Sequence, residues 1–174
     1  VEPMQFGGAH ENQRRPGTEN VAAIAGMASA AAWVLADREA EQTRQAPLRD
    51  RLWIKIRQDC PGAVQNGDPA NRLANTLNVS FPGISSETML MALDLEGVCA
   101  SSGSACMVGS VVASHVLLAM GLPVDIAGSA VRFSLGHETT EDEIERTGEI
   151  IGRVAKRISS VGMKNEQQLQ GAGI

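Results

Sequence analysis

The sequence predicts an α+β fold in which a short sheet packs against helices. Long stretches with apolar residues every three or four positions, typical of amphipathic helices, alternate with short segments of alternating polarity, typical of half-buried strands. With 174 residues, 43% of them hydrophobic, the chain is large enough to bury a core.

The N-terminal part of the chain predicts an irregular arm followed by two helices. Residues 1–16 carry prolines and glycines without periodicity. Thr18 is predicted to cap a helix over Val21–Ala36, whose many small side chains imply close packing of another segment. A second helix is predicted over Asp37–Gln58, and Pro47 is expected to kink or restart it.

The middle of the chain predicts the sheet. Residues 63–67 form a short strand or strand end, and Leu77–Phe81 alternates apolar and polar residues as a half-buried strand does. Ser85 or Ser86 is predicted to cap the next helix. Val98–Ala100 then predicts a short buried strand.

The C-terminal part predicts a helix, a strand and a long final helix. The first helix covers about Val111–Met120, and the strand covers Ala130–Leu135. Thr140 and Glu143 have the spacing of a capping box at the start of the last helix. Residues 161–174 are polar and predict a flexible tail.

Charge and composition disfavour several classes of partner. The net charge is −5 and the basic residues are scattered, which does not favour nucleic acid or an anionic membrane. The apolar stretch Val21–Ala36 is short and rich in alanine for a membrane span, and it predicts a packed helix.

The three cysteines lack CxxC spacing and no leader is recognised, so a cytoplasmic location without disulfides is expected. The histidines show no metal-ligand spacing, and no metal is expected.

Cys106 closes the run Ser-Ser-Gly-Ser-Ala-Cys that begins at Ser101. The small residues predict an open, pliable loop that can deliver a thiol to a substrate. The alternative is an ordinary surface turn with a small buried cysteine. By contrast, Cys60 and Cys99 are interpreted as inert thiols, Cys99 within the short apolar strand.

Three further motifs accompany this loop: Gly-Gly-Ala-His-Glu from Gly7, Arg-Pro-Gly-Thr-Glu-Asn from Arg15, and Val-Arg-Phe-Ser-Leu-Gly from Val131. Together with the loop, they resemble the NifS/IscS-type cysteine desulfurases of the class V aminotransferase superfamily. Members of that family use pyridoxal phosphate (PLP), convert L-cysteine to alanine and an enzyme persulfide, and pass sulfur to an acceptor or scaffold protein for Fe–S cluster or thio-cofactor assembly. The resemblance also implies a homodimer of fold type I.

The resemblance implies a role for individual residues. Cys106 matches the nucleophile, and Arg132 matches the arginine that binds the substrate carboxylate. Asn75 matches an asparagine beside the substrate. Thr18 matches the residue that contacts the PLP phosphate across the dimer, and Arg15 lies in the same motif. From the residues alone, Arg132 on a predicted strand between apolar neighbours is expected to be buried and could serve a structural ion pair, and Thr18 could serve only as a helix cap.

The matched motifs correspond to the C-terminal half of the family. This implies that residues 1–36 end the cofactor domain, residues 37–160 form the small domain and residues 161–174 are the tail. Lys55, Lys156 and Lys164 are the lysines present, and none lies in the Ser-x-His-Lys context of the PLP lysine. The chain is therefore expected to be inactive by itself.

Two other functional classes remain open. A related class V aminotransferase or selenocysteine lyase would share the fold and Arg132, although the complete cysteine loop favours persulfide chemistry. A non-enzymatic sulfur-binding or interaction module would explain the missing lysine, but it gives no use for a substrate-binding arginine.

Overall fold

The computed structural model describes residues 2–103 and 113–171, with side chains up to residue 160. The chain divides into two compact units, Val1–Ala40 and Glu41–Ile174. The elements in chain order are α1 (Val21–Asp59), β1 (Val64–Gln65), β2 (Thr76–Ser80), α2 (Ser86–Asp94), α3 (His115–Ala119), α4 (Val124–Gly128), β3 (Ala130–Ser134) and α5 (Glu141–Gly171). The content of helices and a small sheet confirms the predicted α+β class.

Helix α1 is one continuous element, whereas the sequence predicted two helices. Pro47 lies inside it, at the point where burial begins with Leu48 and Leu52. An interior proline costs about 3 kcal/mol in an isolated helix. We attribute the continuity to this packing, which offsets the lost backbone hydrogen bond.

The cap of α1 also differs from the prediction. The side chain of Asn20 accepts a hydrogen bond of 3.0 Å from the backbone N–H of Ala23, so Asn20 caps the helix and Thr18 does not. Asparagine is at least as good a cap as threonine, and the helix starts at Val21, too far along the chain for Thr18 to reach its first turn.

The part of α1 that belongs to the first unit is exposed, and the expected packing of another segment against its small side chains stays a prediction. Its large apolar side chains, among them Met27 at 71% and Leu35 at 67%, remain accessible. By length and composition α1 could cross a membrane, and none of its most apolar window is buried. A helix that packs against another protein segment meets the same criteria.

The sheet has three antiparallel strands in the order β1-β2-β3. In the pairing of β2 with β3, Leu77 faces Phe133 and Val79 faces Val131. These four side chains are at most 4% exposed, so they define the face that packs against the helices. Helices α1, α2 and α5 add Leu48, Leu52, Ile56, Met89, Leu93, Ile144, Ile151 and Val154 to this core, and a second, smaller cluster contains Leu117, Ala127 and Ala130.

Of the features predicted between β2 and β3, one is confirmed and two differ from the structure. The cap of α2 is confirmed, because Ser85 accepts a hydrogen bond from the backbone N–H of Thr88. Val98–Ala100 is not a strand, since only the next residue, Ser101, makes a single bridge to β3. Helix α3 begins at His115, later than predicted, and residues 111 and 112 lie outside the described ranges.

Helix α5 begins with the predicted capping box. The Thr140 N–H donates to the Glu143 carboxylate at 2.9 Å, and the Glu143 N–H donates to the Thr140 hydroxyl at 3.2 Å. The backbone stays helical to Gly171, where the sequence predicted a tail from residue 161. Many residues of this segment, such as Lys, Glu and Gln, are good helix formers, and no proline interrupts them. Its flexibility stays a prediction.

Two glycines allow α5 to lie directly against α1. A Cβ atom added to Gly148 would lie 2.8 Å from the Cβ of Lys55, and one added to Gly152 would lie 2.6 Å from the Cβ of Asp59. Both pairs are spaced by four residues, one helical turn, so the helices contact along matching stripes. The ends of this contact carry ion pairs, Lys55 with Glu145 and Lys156 with Asp59.

We expect Gly152→Ala to lower the free energy of unfolding by about 1–3 kcal/mol, because the added methyl group forces the two helix backbones apart. Urea unfolding followed by circular dichroism measures the change. Gly26→Ala is the control, since its added Cβ meets nothing within 4 Å in a helix interior, and it should leave stability unchanged or raise it. Equal effects of the two substitutions would contradict the close contact.

Candidate functional site

A row of polar residues crosses the sheet on the face opposite the core. The register places Asn78 opposite Arg132, Arg132 bridges Ser101, and the backbone N–H of Asn66 donates to the Asn78 carbonyl at 2.9 Å. Residues directly opposite each other share one face of a sheet. We call Asn66, Asn78, Arg132 and Ser101 the polar row.

Arg132 is exposed, which corrects the expectation of a buried guanidinium. The alternation of β3 points Val131 and Phe133 into the core and turns Arg132 to the other face, where its side chain is exposed. Within the described ranges Arg132 has no ion-pair partner. The alternative of a structural ion pair therefore has no support among the described residues.

Backbone pairing joins Arg132 to the start of the cysteine motif. The Arg132 N–H donates to the Ser101 carbonyl at 2.6 Å, and the Ser101 N–H donates to the Arg132 carbonyl at 3.0 Å. Cys106 lies outside the described residues.

Asn75 lies at the end of the sheet and is not part of the polar row. Its carbonyl accepts from the Leu135 N–H at 2.8 Å, and its side-chain oxygen accepts from the Thr76 hydroxyl at 3.1 Å. Three residues separate it from Asn78, a distance of roughly 10 Å along a strand. The structure thus gives Asn75 a strand-end contact, and its substrate role stays a prediction.

In the first unit, Arg15 is engaged by its own loop. Its guanidinium donates to the Gly17 carbonyl at 2.7 Å and lies 3.6 Å from the Glu11 carboxylate. Glu11, Asn12 and Gln13 all have positive φ angles, between 50° and 63°, which is strained for residues with a side chain. The arm therefore turns sharply just before Arg15.

Thr18 is exposed, and its hydroxyl has no hydrogen-bond partner in the part of the chain that the structure describes. Because Asn20 caps the helix, the Thr18 hydroxyl remains free to contact a ligand. Close by, His10 lies 3.5 Å from Glu19. The backbone amide of Glu19 and the His10 imidazole hold the pKa of the Glu19 carboxyl below its usual value.

The lysines with described side chains are held in ion pairs. Lys55 pairs with Glu145, and it is the main cause of the lowered pKa of that carboxyl. Lys156 lies 2.5 Å from Asp59, and this hydrogen bond raises the pKa of the Lys156 amine.

Cys99 is exposed at a cavity of about 410 Å³ between α5 and the end of β3, which corrects its place in a buried strand. The chain passes through Val98–Ala100 without strand pairing, so the Cys99 side chain is not covered. Cys60 is half-buried. Burial, with the nearby charge of Asp59, raises the pKa of the Cys60 thiol.

Sequence reasoning missed Asn66 and Asn78. The Asn66 amide nitrogen donates to the Asn78 side-chain oxygen at 2.7 Å and to the Ser80 hydroxyl at 2.8 Å. The alternation of Leu77–Phe81 could have placed Asn78 on the face opposite the core. It could not have shown that Asn78 lies opposite Arg132, because register between distant strands is a tertiary property.

Comparison with known proteins shows a family and several similar proteins. The family model described as Aminotransferase class-V matches residues 3–147. The chain is 47% identical over 144 residues to the cysteine desulfurase NifS of Azotobacter vinelandii, covering 83% of this chain and 36% of that protein. It is 42% identical over 166 residues to the cysteine desulfurase of Trichormus azollae, covering 95% of this chain and 42% of that protein.

A solved structure shares the fold. The NifS-like protein from Rickettsia africae superimposes with a TM-score of 0.76 at 32% identity, covering 88% of this chain and 40% of that one. The chain thus spans about two fifths of the length of the relatives that it matches. The matched part of the fold is that of a NifS-like protein.

We expect iodoacetamide to alkylate Cys99 faster than Cys60 at pH 7.5. Cys99 is exposed, whereas burial and a raised pKa keep Cys60 protonated and covered. Peptide mass spectrometry after timed quenching measures both rates in one sample, with the fully unfolded chain as the control for intrinsic reactivity. Faster labelling of Cys60 would contradict the assigned burial.

Proposed function

The chain belongs to the class-V aminotransferase family, and we propose that it is the C-terminal part of a PLP-dependent cysteine desulfurase. The whole protein would convert L-cysteine to L-alanine and an enzyme-bound persulfide. It would act as a cytoplasmic homodimer and pass the sulfur to an acceptor or scaffold protein. The names of the relatives support this reaction class.

The observation that carries the proposal is the pairing of Arg132 with Ser101. It ties an exposed guanidinium to the first residue of the Ser-Ser-Gly-Ser-Ala-Cys motif through two backbone hydrogen bonds. A cation that can hold a carboxylate is thereby anchored to the segment that carries the thiol. An amino acid with a sulfur on its side chain offers a carboxylate to the guanidinium and a sulfur atom to the thiol.

Arg132 would bind the α-carboxylate of L-cysteine. A guanidinium offers two parallel N–H donors that match the two oxygens of a carboxylate. Arg132 lies in a paired strand between two buried residues, so its backbone is held rigidly. This arrangement orients the substrate by one end and leaves its thiol free to face Cys106.

Cys106 would act as the nucleophile toward the substrate sulfur. Its thiolate forms a new S–S bond with the substrate sulfur while the C–S bond of L-cysteine breaks. The electron pair of the C–S bond stays with the carbon, which takes up one proton to give L-alanine, and the persulfide remains on Cys106. The small residues before Cys106 suit a segment that must serve first the substrate and then an acceptor protein.

PLP, when bound, supplies the electron sink that allows the C–S bond to break. The free hydroxyl of Thr18 fits a phosphate contact, whereas Arg15 is already occupied by its own loop. The described lysines do not fit the role of the cofactor lysine, because both are in ion pairs. That lysine would come from a part of the protein outside this sequence.

We expect Cys106→Ser in the full-length protein to keep L-cysteine binding and abolish persulfide formation, because a hydroxyl cannot accept the sulfur. Cys60→Ser and Cys99→Ser are the matched controls and should retain activity. Thiol-specific labelling followed by peptide mapping locates the persulfide. A persulfide on Cys60 or Cys99 would overturn the assignment.

Arg132→Lys should keep the charge and lose the planar fork, weakening substrate binding by about 1.5–3 kcal/mol. The fold should survive, because the side chain is exposed and unpaired among the described residues. Michaelis constants and melting temperatures are measured together, with Arg157→Lys on the surface as control. An unchanged Michaelis constant with a collapsed melting temperature would indicate a structural role instead.

The 174-residue chain by itself should neither retain PLP after desalting nor produce alanine from L-cysteine. The reason is that none of Lys55, Lys156 and Lys164 lies in the Ser-x-His-Lys context of the family's PLP lysine. Cofactor absorbance and an alanine assay test this, with a full-length relative as the positive control. Alanine formation by the chain alone would contradict the claim that it contains no lysine able to bond PLP.

A further inference from the structure

Asn78 lies beside Arg132 in the closest geometry that an antiparallel sheet offers. Arg132 directs its backbone N–H and carbonyl to Ser101, so its pairing with Asn78 is of the non-hydrogen-bonded kind. In such pairs the Cβ atoms are about 4.5–5.5 Å apart and share one face. An amide side chain and a guanidinium therefore stand side by side on the sheet face opposite the core.

The Asn78 amide is held in one orientation by Asn66. The Asn66 amide nitrogen donates to the Asn78 side-chain oxygen at 2.7 Å, from the β1 side of the strand. A carboxamide carries its oxygen and its NH₂ group on opposite sides of the same carbon. Because the Asn78 oxygen is directed at Asn66, the Asn78 NH₂ group is directed away from Asn66. Within the described ranges, the Asn78 NH₂ group has no acceptor.

Asn66 is in turn held by a chain of hydrogen bonds. Its amide nitrogen also donates to the hydroxyl of Ser80, a fully buried residue, at 2.8 Å, and that hydroxyl donates to the Ile126 carbonyl at 2.8 Å. The side-chain oxygen of Asn66 is buried without a partner in the described part of the chain. A buried unpaired oxygen is destabilising, so stability alone does not account for an asparagine here.

We propose that Asn78 is a second binding residue for the carboxylate held by Arg132, and that Asn66 is a positioning residue that orients the Asn78 amide. This inference rests on the proposed function, because its ligand is the α-carboxylate of an amino acid. A carboxylate has about four acceptor positions, and a guanidinium fork uses two of them. The Asn78 NH₂ group supplies a further donor from the neighbouring strand.

The test measures binding rather than turnover. L-alanine and L-alaninamide differ only in that a neutral amide replaces the carboxylate, and calorimetry measures the affinity of the full-length protein for each. Asn78→Asp keeps the size of the side chain and the oxygen toward Asn66, but replaces the donor with an acceptor and adds a negative charge. It should weaken L-alanine binding about tenfold or more and leave L-alaninamide binding within about twofold.

The role of Asn66 is tested by a double-mutant cycle. Asn66→Ala should weaken L-alanine binding about threefold or more, while Asn66→Ala combined with Asn78→Ala should bind as Asn78→Ala alone does, because a positioning residue acts only through its partner. Asn71→Asp, an exposed asparagine bonded to Asp68, is the control and should change neither affinity.

Each outcome decides a separate point. Equal loss of both ligands in Asn78→Asp, or no loss of either, overturns the role of Asn78. Additive effects in the double-mutant cycle overturn the role of Asn66. If the wild-type protein forms no persulfide and does not bind L-alanine, the proposed function fails and this inference with it. If Arg132→Lys loses L-alanine binding and Asn78→Asp does not, only this inference fails.

Discussion

The register between β2 and β3 is the constraint on which the rest of the second unit depends. It places Leu77 and Val79 against Phe133 and Val131 on the core face, and by the same step it sets Asn78 opposite Arg132 on the other face. Because side chains alternate with a period of two, a slip by one residue would bury the guanidinium and expose the core. The hydrophobic effect therefore fixes the location of the site, although no site residue contributes to the core.

The helices support this sheet by an unusually close contact. Gly148 and Gly152 remove the side chains that would separate α5 from α1, and the capping box at Thr140 starts α5 just after β3. Arg44 of α1 adds a second restraint, since its guanidinium donates to the carbonyls of Gly136 and His137 in the loop between β3 and α5. The end of β3 is thus fixed to the helical layer a few residues from Arg132.

The two units leave apolar and polar surfaces uncovered in different ways. The second unit has a polar sheet face with an unpaired guanidinium in its described part, whereas the first has a helix whose large apolar side chains are exposed. The chain spans about two fifths of its relatives.

The sequence by itself determined the α+β class, the capping box of α5, the β2 and β3 strands and the family, because these depend on local periodicity and on short motifs. Tertiary structure decided the rest. Asn20 displaced Thr18 as the cap of α1, packing carried α1 through Pro47, and Val98–Ala100 formed no strand. Above all, the exposure of Arg132 and its neighbours Asn66, Asn78 and Ser101 depended on the pairing of segments distant in the chain. Local pattern can tell that a strand has two faces, but only the packed sheet decides which face the core takes and which residues meet on the other.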